Sequence, residues 1–266
     1  MSTYVIGDIH GRFDVLMSLI QAISYRPETD RLWFVGDLVN NGPRNAEVVR
    51  WVRDQGDRAA VVLGNHDLHM LAVASGASKV RKKDTFSDLL DAPDAHELLT
   101  WLRHRPMLHE ADGWLMVHAG LLPQWSLEVA RACARDLEEA LRGPDPRAFF
   151  TRMYGNTPAR WSDDLPREDR LRLTVNALTR MRVCRRDGTL DFAYKGTLSK
   201  RPSGLVPWFR APTPHPRGVR VCFGHWSALG LHREGVYRGL DSGCTWGREL
   251  TALRLEDEAI VQVDAG

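Results

Sequence analysis

Long apolar runs, closely paired cysteines, repeats and low-complexity tracts are all missing from this 266-residue chain. No stretch approaches the ~18 apolar residues that a membrane-spanning helix needs, so no membrane partner is expected. The opening Met1-Ser2-Thr3-Tyr4 lacks a basic region and runs straight into a strand pattern, so no secretory leader is expected. The four cysteines, Cys133, Cys184, Cys222 and Cys244, include no Cys-x-x-Cys pair and are too few for a disulfide scaffold. A reduced, cytoplasmic protein is expected. With 43% hydrophobic and 26% charged residues, the composition excludes disorder and is that of a globular chain.

The net charge of +2 hides an asymmetry. Residues 143–219 hold 15 Lys/Arg and 7 Asp/Glu, a balance of +8, which leaves the remainder at −6. A basic segment beside an acidic remainder suits a polyanionic ligand or an anionic surface. It equally describes a solvated Arg-rich face.

Short aliphatic runs recur, each closed by a polar signature. Tyr4-Val5-Ile6 leads into Gly7-Asp8-Ile9-His10, Leu32 to Val35 into Gly36-Asp37, and Ala60 to Leu63 into Gly64-Asn65-His66-Asp67. Later, Trp114 to Val117 meets His118, and Val219 to Phe223 meets Gly224-His225. Such runs predict buried strands. Leu16, Leu19, Ile20 and Ile23, then Val48, Val49 and Val52, fall at helical spacing between the first three. Strand–helix alternation implies parallel strands, and ligands of parallel sheets sit at the strands' carboxyl ends.

Beyond residue 95, Leu98, Leu99 and Leu102 mark another helix, and Ser126 is the expected N-cap of a helix to Arg142. Residues 143–219 hold most of the fourteen prolines and show no clear alternation. They are expected to form a cap, helical over 166–183 and loop-rich over 196–216, inserted into a core of residues 1–142 and 220–266. Strands return after Val219, notably over Leu250 to Leu255.

Taken singly, a Gly-Asp or Gly-His after a strand is a turn, and His66 or Asp67 reads as a helix cap. Taken together, Asp8, His10, Asp37, Asn65, His118 and His225 form a mixed nitrogen and oxygen set that suits Mn, Fe, Co or Zn rather than calcium. Six candidates exceed one tetrahedral site but match two ions sharing a carboxylate, a recurrent device for phosphoester hydrolysis. Asp8, Asp37 and Asn65 are spaced 29 and 28 residues apart, each gap one crossover long. His69, His96, His104 and His109 carry no partner signature and are read as structural.

Gly7-Asp8-Ile9-His10-Gly11, Gly36-Asp37-Leu38-Val39-Asn40-Asn41-Gly42-Pro43 and Gly64-Asn65-His66-Asp67 resemble the motifs of the calcineurin-like metallophosphoesterases. The resemblance implies an α/β fold of two mixed β-sheets flanked by helices. It also implies that Asp8, His10 and Asp37 hold one ion, and that Asp37, Asn65, His118 and His225 hold a second. His66 would be the general acid, with Asp67 beside it. Residues 60–72, Val117 to Trp125, Asn176 to Cys184 and Leu240 to Gly247 are similar to the bacterial symmetrical bis(5'-nucleosyl)-tetraphosphatases. This narrower resemblance implies hydrolysis of diadenosine tetraphosphate to two ADP, with nucleoside tetraphosphates capping RNA 5' ends as further substrates. The ions implied are Mn²⁺ or Co²⁺, with Mg²⁺, Fe²⁺ or Zn²⁺ as other occupants.

Arg180, Arg182 and Lys195 are candidates to bind phosphate, and Tyr154, Trp161, Trp208 and Phe209 to stack on adenine. Surface solubility and core packing are their respective alternatives. One position departs from the pattern: related enzymes carry Arg before the Gly-Pro, where this chain has Asn41. Arg44, three residues on, is the expected substitute for that phosphate contact. Two other readings stay open, a phosphoprotein or general phosphoesterase, and a nucleic-acid-binding module with structural metal.

Overall fold

The short apolar runs become strands because both of their faces find something apolar to cover. The computed structural model describes residues 1–214 and 218–266. From the N-terminus come β1 (Thr3–Ile6), α1 (Phe13–Ala22), β2 (Arg31–Phe34), α2 (Asn45–Asp54), β3 (Ala59–Val61) and α3 (Asn65–Ala74). Then follow α4 (Ser87–Leu90), α5 (Ala95–Arg103), β4 (Leu108–Ala111), β5 (Trp114–Val117) and α6 (Leu127–Arg142). The middle segment adds α7 (Pro146–Arg152), α8 (Arg167–Arg180), β6 (Val183–Cys184), β7 (Leu190–Asp191) and β8 (Val206–Pro207). The chain closes with β9 (Arg220–Phe223), β10 (His232–Glu234), β11 (Tyr237–Gly239), β12 (Glu249–Arg254) and β13 (Ile260–Asp264).

One five-stranded sheet has the order β13-β12-β1-β2-β3, the other β10-β11-β9-β5-β4. In the first, β1, β2 and β3 are parallel, and β12 and β13 add antiparallel. In the second, β5, β9 and β11 are parallel, with β4 and β10 antiparallel at the edges. Alternate side chains divide between two apolar layers. Val5, Trp33, Val62, Trp114, Met116, Cys222 and Leu253 meet between the sheets. Tyr4, Ile6, Leu32, Phe34, Leu115 and Val117 face the other way, into the cluster that includes Leu16, Leu19, Val48, Val49 and Val52.

The helix α6 starts as expected, with the Ser126 hydroxyl accepting the Val129 N–H at 3.2 Å. Its buried stripe is Ala130, Cys133, Ala134, Leu137 and Leu141. Two elements differ from the sequence expectation. The stretch after α5, read as a connection, forms β4, which pairs with β5 across Asp112-Gly113, both in the left-handed region (φ 53° and 75°). The helix predicted over 166–183 stops at Arg180, because Met181 turns extended and Val183-Cys184 pairs with β7 and β8 in a third, small sheet. That sheet draws β8 out of the stretch 196–216, whose last two residues lie outside the described ones. Residues 143–219 are tied to the rest through the Ala119 N–H, which donates to the Leu178 carbonyl at 2.7 Å.

Candidate metal centre

The carboxyl ends of the parallel strands of both sheets meet at one place. Asp8 and His10 follow β1, Asp37 follows β2, Asn65 opens α3 after β3, His118 follows β5, and His225 follows β9. Asp37 belongs to two ligand-competent groups, one with His10 and His66, the other with His118 and His225, the atoms within each lying within 4.8 Å of one another. Its Oδ2 is 3.8 Å from His10 Nε2 and 3.4 Å from His118 Nε2. Asp8 Oδ2 stands 4.0 Å from His10 Nε2, and the Asp8 carboxylate accepts the His225 backbone N–H.

Such close approach requires glycine at two positions. A Cβ on Gly64 would overlap the Asp37 carboxylate, and one on Gly224 would overlap that of Asp8. The backbone is also held under strain. His10, Asp37, Asn40, Asn41 and His225 all have φ between 50° and 73°, where L-residues other than Gly are uncommon.

Three imidazoles have their protons already assigned by the backbone. His10 Nδ1–H donates to the Val39 carbonyl (3.2 Å), His118 Nδ1–H to Val35 (2.8 Å), and His225 Nε2–H to Arg180 (3.0 Å). Each is thereby left with a lone pair on its other nitrogen. Metal-ligating histidines are keyed in this manner. One terminal atom of the Asn65 amide meets His225 Nδ1 at 2.8 Å, His118 Nε2 at 3.3 Å and the Thr179 carbonyl at 3.1 Å. With oxygen at that position, only lone pairs face one another, and a cation among them would satisfy all. The donor set therefore fits divalent ions of the mixed nitrogen–oxygen kind.

The electrostatics agree with a site that awaits positive charge. Burial, with Asp241 and Asp37 nearby, pushes Asp8 well above the ordinary carboxylate range. Burial would raise Asp37 too, but His118, His66 and His10 hold it well below. Burial takes His10 down to about 4 against the pull of Asp37, and holds His225 well below its ordinary value with help from Arg182. In His118 burial opposes the charged form, yet Asp37 prevails and raises it.

The remaining candidates divide. Asp67, expected beside His66 in the chemistry, is turned away from it. It is fully buried, and its carboxylate accepts the N–H groups of Asp37 (2.8 Å), Leu38 (3.0 Å) and Gly64 (2.9 Å). It is a positioning residue that ties the Asp37 loop to the start of α3. Arg44, expected to stand in for the arginine of the family pattern, turns its guanidinium onto Glu47 in a fork and stacks on Phe13 at 4.7 Å. Asn41 does reach the cluster, its Nδ2 lying 3.3 Å from His10 Nδ1. Arg182 donates to the His225 carbonyl at 3.2 Å, and Arg180 lines a cavity that opens beside Asn65 and His66. Lys195 is exposed, and among the described residues no hydrogen bond or ion pair joins it to the cluster. Of the aromatics, Trp208 and Phe209 are core side chains packed with Phe223 and Tyr237, which rules them out as stacking surfaces. Trp161 packs edge-on against Trp125, whereas Tyr154 stays exposed at the cavity.

Sequence reasoning missed Arg81, Asp84 and the role of His69, which share that cavity with Tyr154. It also missed Asp241, a buried carboxylate after β11 raised to about 6, chiefly by burial. Its signal was present, since Asp241 follows a short β-type run as Asp8 and Asp37 do.

A family model described as calcineurin-like phosphoesterase matches residues 1–188. A protein of Methylobacillus flagellatus named bis(5'-nucleosyl)-tetraphosphatase, symmetrical, is 51% identical over 99% of this chain and 95% of its own. One of the same name from Chromobacterium violaceum is 50% identical over 98% and 94%. Among solved structures, a protein provisionally named diadenosine tetraphosphatase superposes with a TM-score of 0.67 at 25% identity, covering 99% of this chain and 93% of that one. A serine/threonine phosphatase from Saccharomyces cerevisiae shares the fold, with a TM-score of 0.55 at 13% identity over 99% and 79%. The family match and the near full-length similarity at about half identity lead to one assignment: the chain belongs to the calcineurin-like phosphoesterase family, and within it to the symmetrical bis(5'-nucleosyl)-tetraphosphatases.

Proposed function

We propose that this protein hydrolyses diadenosine tetraphosphate symmetrically, adding water across the central phosphoanhydride bond to release two ADP. The observation that carries the reading is Asp37, shared by two ligand-competent groups whose histidines present keyed lone pairs. Asp8, His10 and Asp37 would hold one divalent ion, and Asp37, Asn65, His118 and His225 the other, with Mn²⁺ or Co²⁺ first among the occupants. Two ions so bound lower the pKa of a solvent molecule and neutralise charge gathering on phosphoryl oxygens.

The chain's own groups supply the rest. His66, half-buried at the mouth beside His10, is the group to give a proton to the departing ADP oxygen. ADP is a good leaving group, so this assistance is modest. Arg182 and Arg180 meet the polyphosphate as charge-assisted donors, and residues 143–219 act as a cap over the substrate. RNA 5' ends bearing a nucleoside tetraphosphate offer the same linkage and are proposed further substrates. Four buried, unpaired thiols support a reduced, cytoplasmic setting.

The test is incubation with Mn²⁺ and diadenosine tetraphosphate, followed by chromatography. ADP as the sole product supports the reading. ATP with AMP, or turnover unaffected by a chelator, overturns it.

A further inference from the structure

Beside the metal centre lies a cavity of about 250 Å³ lined in part by His66, His69, Arg81, Asp84, Tyr154 and Arg180. Two guanidinium groups line it, and neither meets a carboxylate among the described residues. Arg180 donates only to neutral oxygens, the Gly155 carbonyl and the amides of Asn176 and Asn156, and stacks on Phe192 at 4.6 Å. Among the described residues Arg81 forms no ion pair, and it stacks on the Tyr154 ring at 5.8 Å. The two are close enough that Arg81, after burial, lowers the pKa of Arg180.

The Arg81 wall is built with unusual care for an exposed loop. Tyr154 Oη is 2.8 Å from His69 Nδ1, and His69 Nε2 is 3.0 Å from Asp84 Oδ2. Asp84 also accepts the Arg81 N–H at 2.7 Å and the Asn40 side-chain amide at 2.9 Å. Its carboxylate is held by these internal donors and pairs with neither guanidinium among the described residues. A chain of contacts Asp84–His69–Tyr154 fixes the surface on which Arg81 rests, and ties it to the loop of Asn40 and Asn41.

We propose that Arg81 and Arg180 form a diphosphate-binding subsite that receives one nucleoside diphosphate half of the substrate, with Tyr154, His69 and Asp84 as positioning residues for Arg81. This rests on the hydrolase reading above. Two guanidinium groups without an ion-pair partner among the described residues, beside His66, match the leaving diphosphate, which carries its charge where that proton is delivered.

Calorimetric titration of ADP and of adenosine into Mn²⁺-loaded protein tests the subsite, using Arg81→Ala, Arg81→Lys and, as a charge-matched control, Lys82→Ala. Arg81 is exposed, so its removal leaves the core intact. Arg81→Ala is expected to weaken ADP about tenfold or more and to leave adenosine unaffected, with Arg81→Lys between. In turnover it raises KM for diadenosine tetraphosphate more than it lowers kcat. Lys82→Ala stays near wild type. Unchanged ADP affinity and KM in Arg81→Ala would overturn the subsite, as would an equal loss in Lys82→Ala, which would mean a diffuse field. If the wild type forms no ADP yet binds it through Arg81, the hydrolase reading falls and the subsite stands.

Discussion

The Nε2 of His118 lies 3.4 Å from the Oδ2 of Asp37, which also faces His10 at 3.8 Å on the other side. One carboxylate therefore serves donors from both sheets. Asp37→Asn keeps the shape but removes the charge between the two groups. It is expected to lose bound Mn²⁺, read by metal analysis, and to lower kcat more than about a hundredfold. Full metal content with wild-type turnover would contradict the shared role of Asp37.

Asn41→Arg installs the side chain that the family resemblance leads one to expect at this position. A charge-assisted phosphate contact contributes about 1.5–3 kcal/mol, so kcat/KM for the tetraphosphate is expected to rise about tenfold or more. Because Asn41 sits at φ 66°, where Asn is tolerated better than Arg, a lower Tm should accompany the gain. No gain in kcat/KM would remove the phosphate reading of this position.

His66→Asn separates proton donation from metal binding. With ADP as leaving group kcat should fall less than with an alkyl phosphate, whose alkoxide needs the proton more. Because His66 also lies in the group with His10 and Asp37, metal content must be measured alongside. A loss of Mn²⁺ would make His66 a ligand rather than an acid.

The metal-free protein should lose stability as pH rises from about 7 to 8. Asp67 is raised to about 7 by burial and Asp37, Asp8 is raised well above its ordinary value, and His118 is raised above 6.5 by Asp37 against burial. Asp67 and His118 thus hold protons in the folded chain that the unfolded chain sheds, so stability falls as these protons leave. His10 and His225, lowered by burial, act in the opposite sense, and their effect fades as the unfolded imidazoles lose their protons through about 6.5 to 7.5. Urea midpoints with a chelator at about pH 7, 7.5 and 8 check the slope, and Mn²⁺ should restore most at the highest pH. A midpoint that rises with pH would refute the balance.

Much of the site was legible because short apolar runs ended in Gly-Asp, Gly-Asn or Gly-His, and parallel strands gather such ends. The hairpin of β4 and β5 could have been read from Asp112-Gly113, a strong turn signal. The two-residue strands β6, β7 and β8 could not, since pairs of residues carry no periodicity. The fate of Arg44 depended on Glu47 and Phe13, local partners that sequence spacing alone does not choose over a substrate. Trp208 and Phe209 went to the core because β9 and β11 offered Phe223 and Tyr237 as neighbours, contacts made across 14 to 29 residues of chain. The Asp84–His69–Tyr154 chain joins three segments, and nothing in any one of them announces the others.

The layer of Val5, Trp33, Trp114, Met116 and Cys222 has a consequence beyond cohesion. His10, Asp37 and Asn65 ride on one slab of the sandwich and His118 and His225 on the other, so the thickness of this filling works as a ruler. Thinning it by a methyl group or two, far from any reacting atom, would retune how widely the catalytic charges are set apart.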